Sequence, residues 1–217
     1  MLTVLAAMQN EADTLLAQAN IHREYALFGK KIWEGQAFGE DFSLILTGIG
    51  KTNAAAACML ALARGAERLL NIGVAGGLTP AAKIGSLLQI ERAVQFDFDL
   101  SEINGTEIGT LDEYSTPYFP LRTGGSFVRG TLATSDSFAS GNDGEALLRR
   151  LGADVRDMEG AAIAHIAYAA KMPCFMFKTI SDNAGEGSVR EYRENLKIAL
   201  QTLQDDMRQI WEAARNG

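Results

Sequence analysis
The chain has 217 residues, 47% of them hydrophobic, enough to bury one sizeable core, and a single domain spanning 1–217 is expected. A net charge of −7 excludes a non-specific nucleic-acid or acidic-membrane binder, because phosphate-rich partners need a clustered basic face. Cys58 and Cys174 both lie in apolar runs and read as buried free thiols; with no bilayer-length apolar run and no basic segment ahead of the first apolar run, a cytoplasmic protein is expected.

In chain order, Leu2–Met8 is a continuous apolar run of strand length, and Ala12, Leu15, Leu16 and Ala19 then recur at helical spacing, so Glu11 falls at the turn after a buried parallel strand. KKIWEGQAF and DFSLILT read as two strands joined in a hairpin at Gly39-Glu40. TGIGKTNAAAACMLALARG is a Gly-rich turn followed by a helix ending at Gly65, and RLLNIGV is another buried strand. Ile84–Asp99 alternates as a long strand, with Asp97 and Asp99 on a solvated face or at a dimer seam. Leu100–Gly125 is irregular. FVRGTLATS predicts a strand, EALLRRLG a short helix, and Ser188–Arg215 one long closing helix. Strands and helices alternate around one hairpin, which predicts a three-layer α/β/α fold around a twisted mixed sheet.

Asp154–Gly185 is the centre of the chain's organisation. Asp157 and Glu159 flank Met158 where an extended run gives way to an Ala-rich helix, and the strand CFMFKTI then delivers Ser181-Asp182 into a loop. A strand–helix–strand unit is expected to bring both strands out at one edge of a parallel sheet, so that Glu159 and Asp182 face one cleft. The Gly-rich turn Gly48–Thr52 has the tail of a P-loop, yet that motif requires glycine where Ile45 stands, so the Walker reading fails. Two readings remain for it: backbone N–H groups offered to a ligand at a helix N-terminus, or a tight turn with Lys51 solvated.

AMQNE (Ala7–Glu11), TGIGKTNAA (Thr47–Ala55), NIGVAGGL (Asn71–Leu78), VQFDFD (Val94–Asp99), GTLATSDSF (Gly130–Phe138), DMEGAAIAH (Asp157–His165) and ISD (Ile180–Asp182) occur together in an order and spacing that resemble the 5′-methylthioadenosine/S-adenosylhomocysteine nucleosidases of the nucleoside phosphorylase superfamily. The resemblance implies hydrolysis of an adenine N-glycosidic bond in a purine nucleoside, usually by a homodimer, with neither metal nor organic cofactor. It implies Asp182 as proton donor to purine N7, oriented by Ser181, and Glu11 as the carboxylate that activates water. Glu159 would accept hydrogen bonds from the ribose hydroxyls, Met158 would pack beneath the sugar, Phe138 would pack on the base, and the backbone of Ala139 would read its edge. Ile49, Val74, Asp157 and Lys178 complete the implied substrate site.

Each residue also has an ordinary reading. Asp182 can cap a helix or close an Asx turn, Glu11 can complement a helix dipole, and Met158 can be core. Val74 stands where the family usually has Ser or Thr, Lys178 where it has Arg, and Asp157 where it often has Glu; Lys178 can equally form a buried strand-end ion pair with Asp157 or Glu159. The segments where related phosphorylases bind phosphate carry no arginine, and Glu11 would repel a phosphate dianion, so water is the expected nucleophile. Tyr114, Pro117, Tyr118 and Phe119 either line a pocket for the 5′ substituent or anchor a loop. Futalosine hydrolases share the fold and a similar MEGAA run, which leaves a deaminated purine as the alternative substrate, and a nucleoside-binding protein without turnover is the non-enzymatic alternative. His22 is expected to be exposed and His165 to be a core histidine.

Overall fold
The computed structural model describes residues 1–138, 141–183 and 189–217. The elements run β1 (Leu2–Ala6), α1 (Gln9–Leu16), β2 (Ala19–Leu27), β3 (Lys30–Ala37), β4 (Glu40–Leu46), α2 (Lys51–Ala63), β5 (Arg68–Gly77), β6 (Leu87–Gln95), α3 (Ser101–Asn104), β7 (Tyr118–Pro120), β8 (Val128–Thr134), α4 (Gly141–Arg150), β9 (Val155–Asp157), α5 (Gly160–Ala169), β10 (Cys174–Asp182), α6 (Val189–Asp205) and α7 (Met207–Asn216). The fold is α/β, as expected. One mixed sheet carries the strands in the order β10-β6-β8-β9-β5-β1-β4-β3-β2, with β7 beside β6. Because β10 also pairs with β5, the first five of these close on themselves, and the remaining four extend as a wing.

The helices cover both faces. On one, α1, α6 and α7 pack against Val4, Leu44, Ile72 and Phe177. Trp211 is the largest buried side chain there and meets Phe38 and Phe42 edge-on at 5.5 and 5.7 Å. On the other face α2 and α5 bury Ala57, Cys58 and Ile163 against Leu5, Ile45 and Leu69. Strand β1 is therefore buried throughout because it is covered twice. Cys58 and Cys174 are both buried and free.

Three expectations need correction. Residues 19–27, to which the sequence reading assigned no element, form a strand, and exposed His22 lies on it. Its side chains alternate with the sheet, but Arg23 and Glu24 break the apolar period. The wing is thus two successive hairpins, turning at Phe28-Gly29 and Phe38-Gly39, where all four residues have positive φ as a type I′ turn requires. The closing helix is two helices, broken at Asp206. Strand β6 stops at Gln95, so Asp97 and Asp99 are turn residues: Asp97 pairs with Lys51 at 2.6 Å and Asp99 accepts from the Ser101 backbone at 2.8 Å.

Strand β5 positions the site. It runs parallel to β1 along Arg68–Asn71 and to β10 along Leu69–Gly76, and its last two residues pair antiparallel with β9. Gly77 sits where the chain crosses itself: a Cβ there would collide with the carbonyl oxygen of Ala82, a backbone atom with little freedom to move. Gly77→Ala is expected to cost roughly 1–3 kcal/mol, read as a lower urea midpoint. An unchanged midpoint would mean that the Ala82 backbone gives way and that the close approach constrains nothing.

Candidate active site
Glu159 and Asp182 do share a cleft, but the route differs from the expected one. Strand β9 is antiparallel to β5 and β10 is parallel to it, so the two do not leave a parallel sheet side by side. They converge because Gly76 is the register partner of both Asp182 and Arg156. The cleft at this point is lined by Met8, Glu11, Ile49, Val74, Phe138, Arg156, Asp157, Met158, Glu159, Ser181 and Asp182, among others.

Glu11 is brought in by the start of α1. One carboxylate oxygen accepts the N–H groups of Ala7 (3.0 Å) and Met8 (2.8 Å), and the other accepts that of Val74 on β5 (2.8 Å). The helix-start reading is therefore true as well, since the same carboxylate closes the first turn of α1. Gly73 makes room for it: a Cβ there would lie 2.6 Å from Glu11 Oε1. Burial pushes the Glu11 carboxyl above its ordinary pKa, opposed by Lys178 and by the three amides. Val74 holds Glu11 through its backbone, so the missing hydroxyl does not affect this contact.

Behind the cleft, Lys178 Nζ meets Asp157 Oδ2 at 2.9 Å, with both side chains almost wholly buried. The buried ion pair is thus real and its partner is Asp157, but Lys178 lies midway along β10 and not at a strand end. Burial alone would lower the Lys178 pKa, but Asp157, Glu11 and Glu159 together outweigh it and raise it. Asp157 also accepts from Thr134 Oγ1 (2.6 Å) and from the N–H of Gly160 (2.9 Å), fastening the start of α5. Glu159 does not cap that helix. Its Oε1 reaches across to the N–H of Gly50 at 2.9 Å. The next amide, Lys51 N–H, is taken by Asp136 at 2.8 Å. Both readings of the Gly-rich turn need revision, because these two donors are occupied by the chain's own carboxylates and Lys51 is held by Asp97 rather than solvated.

Asp182 stands across the cleft, and Ser181 Oγ donates to its Oδ2 at 2.9 Å. Phe138 and Ile49 are each more than half exposed at the mouth, and Met158 lines the wall. Ala139 and Ser140 lie outside the described residues. No residue of Leu100–Gly125 lines this cleft. Phe119 is buried, His165 stacks on it at 4.8 Å, Tyr114 meets it edge-on, and Tyr118 donates to the Leu151 carbonyl at 2.9 Å, so within this chain these aromatics anchor the loop.

Sequence reasoning missed Arg156. It is 7% exposed, and its guanidinium carbon lies 6.0 Å from the Phe138 ring centroid. The recognised motif begins one residue later, at Asp157. The available signal was an arginine between Val155 and Asp157 in a strand with little exposed surface.

A family model described as "Phosphorylase superfamily" matches residues 2–212. The 5′-methylthioadenosine/S-adenosylhomocysteine nucleosidase of Listeria welshimeri is 28% identical over 214 residues, covering 90% of this chain and 92% of that protein. The aminodeoxyfutalosine nucleosidase of Campylobacter jejuni is 27% identical over 206 residues, covering 89% and 90%. Among solved structures, futalosine hydrolase of Helicobacter pylori superposes with a TM-score of 0.88 at 25% identity, over 97% of each chain.

Two measurements test the electrostatics. Lys178→Met leaves Asp157 buried without its cation and is expected to cost about 3–5 kcal/mol in stability; a loss below about 1 kcal/mol would show that the pair is dispensable. Burial, and next the charge of Asp157, raises the Glu159 carboxyl from 4.5 to about 7. A raised carboxyl contributes stability that is fully present below pH 4.5 and lost as pH rises through about 7. The Tm of wild type minus that of Glu159→Gln should therefore fall across that window, and a flat difference would contradict the shift.

Proposed function
The chain belongs to the phosphorylase superfamily, and from that premise we propose that it is an N-glycosidase that hydrolyses purine nucleosides of the kind its relatives act on. The observation that carries this reading is the hold on Glu11, whose carboxylate occupies the N–H groups of Ala7, Met8 and Val74 at the floor of a cleft shared with Glu159 and Asp182. Those three donors are what an anionic nucleophile would need, and a carboxylate in their place repels one. Water is neutral and can instead give up its proton to Glu11.

The reaction divides between two carboxyl groups in unlike surroundings, as in O-glycoside hydrolysis. Asp182, held by Ser181, protonates N7 as the C1′–N9 bond breaks and its electron pair withdraws into the purine. Water adds to C1′ from the other side, and its proton passes to Glu11. Burial raises Glu11 towards the basicity that general-base catalysis at neutral pH requires. Glu159 accepts from the sugar hydroxyls, with charge strengthening those bonds. The scheme uses no metal or organic cofactor.

The relatives include 5′-methylthioadenosine/S-adenosylhomocysteine nucleosidases as well as enzymes named for futalosines. A 5′-thioadenosine is the first reading of the substrate. A deaminated purine is the second, supported by the likeness to a solved futalosine hydrolase. A homodimer fits the same scheme: Ile49 and Phe138 are exposed at the mouth, and a second copy is the natural source of the wall for the 5′ substituent. The two buried thiols support a cytoplasmic setting, and the chain is read as one domain.

Incubation with methylthioadenosine, S-adenosylhomocysteine, adenosine, inosine and futalosine, followed by chromatography, should show free base from at least one of them. Asp182→Asn and Glu11→Gln should each lower base release about 10²–10⁴-fold while nucleoside binding persists. Undiminished turnover in either variant would remove that residue from the scheme, and binding without release by wild type would leave a nucleoside-binding protein.

A further inference from the structure
Lys51 stands outside the cleft wall and has no part in the proposed scheme, yet turns from three separate elements are fastened through it. Its N–H donates to Asp136 Oδ1 at 2.8 Å in the turn after β8, and its ammonium donates to Asp97 Oδ1 at 2.6 Å in the turn after β6. The other oxygen of Asp97 accepts the N–H of Asp136 at 3.0 Å, so the contacts close into a ring.

The ring bears directly on Glu159. Gly50, the residue before Lys51, donates its N–H to Glu159 Oε1 at 2.9 Å and so sets the direction of a carboxylate that does not cap its own helix. Gly50 has a φ of 98°, a conformation that glycine enters and leaves with little steric resistance, so its neighbours must hold it. The ring lies against it: a Cβ on Gly50 would meet Asp136 Oδ1 at 3.2 Å. A carboxylate aimed in advance loses little rotamer freedom when a hydroxyl binds it, whereas a loose one must be ordered at each binding event.

Resting on the nucleosidase reading for the place of the sugar, we infer that Lys51 is a positioning residue that aims Glu159 at the ribose hydroxyls through Gly50. Lys51 itself touches no ligand, and the chemical step stays with Glu11 and Asp182. The rival route for the same ring runs through the base, because Asp136 lies two residues before Phe138.

Comparing nucleosides with free bases separates the two routes, since a free base has no sugar for Glu159 to hold. KM and kcat are measured with methylthioadenosine, S-adenosylhomocysteine, adenosine, inosine and futalosine, and the affinities of adenine and hypoxanthine by calorimetry, for wild type, Lys51→Met and Lys51→Arg. Lys51→Met should raise the nucleoside KM about 3- to 10-fold while kcat and the free-base affinity change less than about twofold. Lys51→Arg, which keeps a cation for Asp97, should restore most of the loss. If neither base binds measurably, Lys51→Met is combined with Glu159→Ala, where its effect on KM should vanish. Should Lys51→Met fail to fold, Asp97→Asn weakens the same contact and is read in its place. A nucleoside KM unmoved in the folded variant, a free-base affinity that falls with it, or an effect that persists beside Glu159→Ala would overturn the inference and leave the hydrolase reading standing. No base release by wild type from any of the five nucleosides would overturn the hydrolase reading, and this inference with it.

Discussion
Lys178 is the charge on which the rest of the cleft depends. Glu11, Asp157 and Glu159 are all withdrawn from water, and burial raises the pKa of Glu11 and of Glu159 against the pull of Lys178. Lys178 lies midway along β10, with Gly73 as its register partner, where Glu11 also packs. One ammonium makes one direct contact: Asp157 takes it, and Glu11 and Glu159 keep raised pKa values. That gradation suits a site in which one carboxylate holds structure and others exchange protons or hydrogen bonds with a ligand. A lysine does this through a single point contact, which explains why a bidentate partner is not required here.

Much of this was legible because local sequence and global fold agree. The apolar runs at Leu2–Met8 and Cys174–Ile180 have no solvent face to accommodate, so they read directly as doubly covered strands. Glu11, Glu159 and Asp182 were legible through motif order, and the structure places all three on one cleft. The reasoning that joined them was incomplete, because strand direction is a property of the closed sheet and is not encoded in strand–helix–strand alternation. Residues 19–27 were missed because their outer face is charged and their partner strand is supplied by the next segment.

The Gly-rich turn shows a different limit. Its spacing correctly marked a helix start, and its amides do hold oxygens. Those oxygens belong to Glu159 and Asp136, more than 80 residues away, and no local pattern identifies such a partner. Arg156 was overlooked for the opposite reason. It lies one residue before the DMEGAA motif, and an arginine in a three-residue strand carries no local pattern of its own.

The closure of β10 onto β5 also bears on how copies of this chain can meet. Folding five strands into a ring removes the lateral edges they would otherwise present, and among the described residues the sheet runs out at β2 and β7. Strand β7 has three residues and ends in Pro120, while the middle of β2 carries exposed His22, Arg23 and Glu24. Both rims are poor templates for adding a strand. Association is thereby steered away from backbone-templated stacking, the route to fibrous aggregates, and towards contacts between side-chain surfaces, which can saturate at a small, closed assembly.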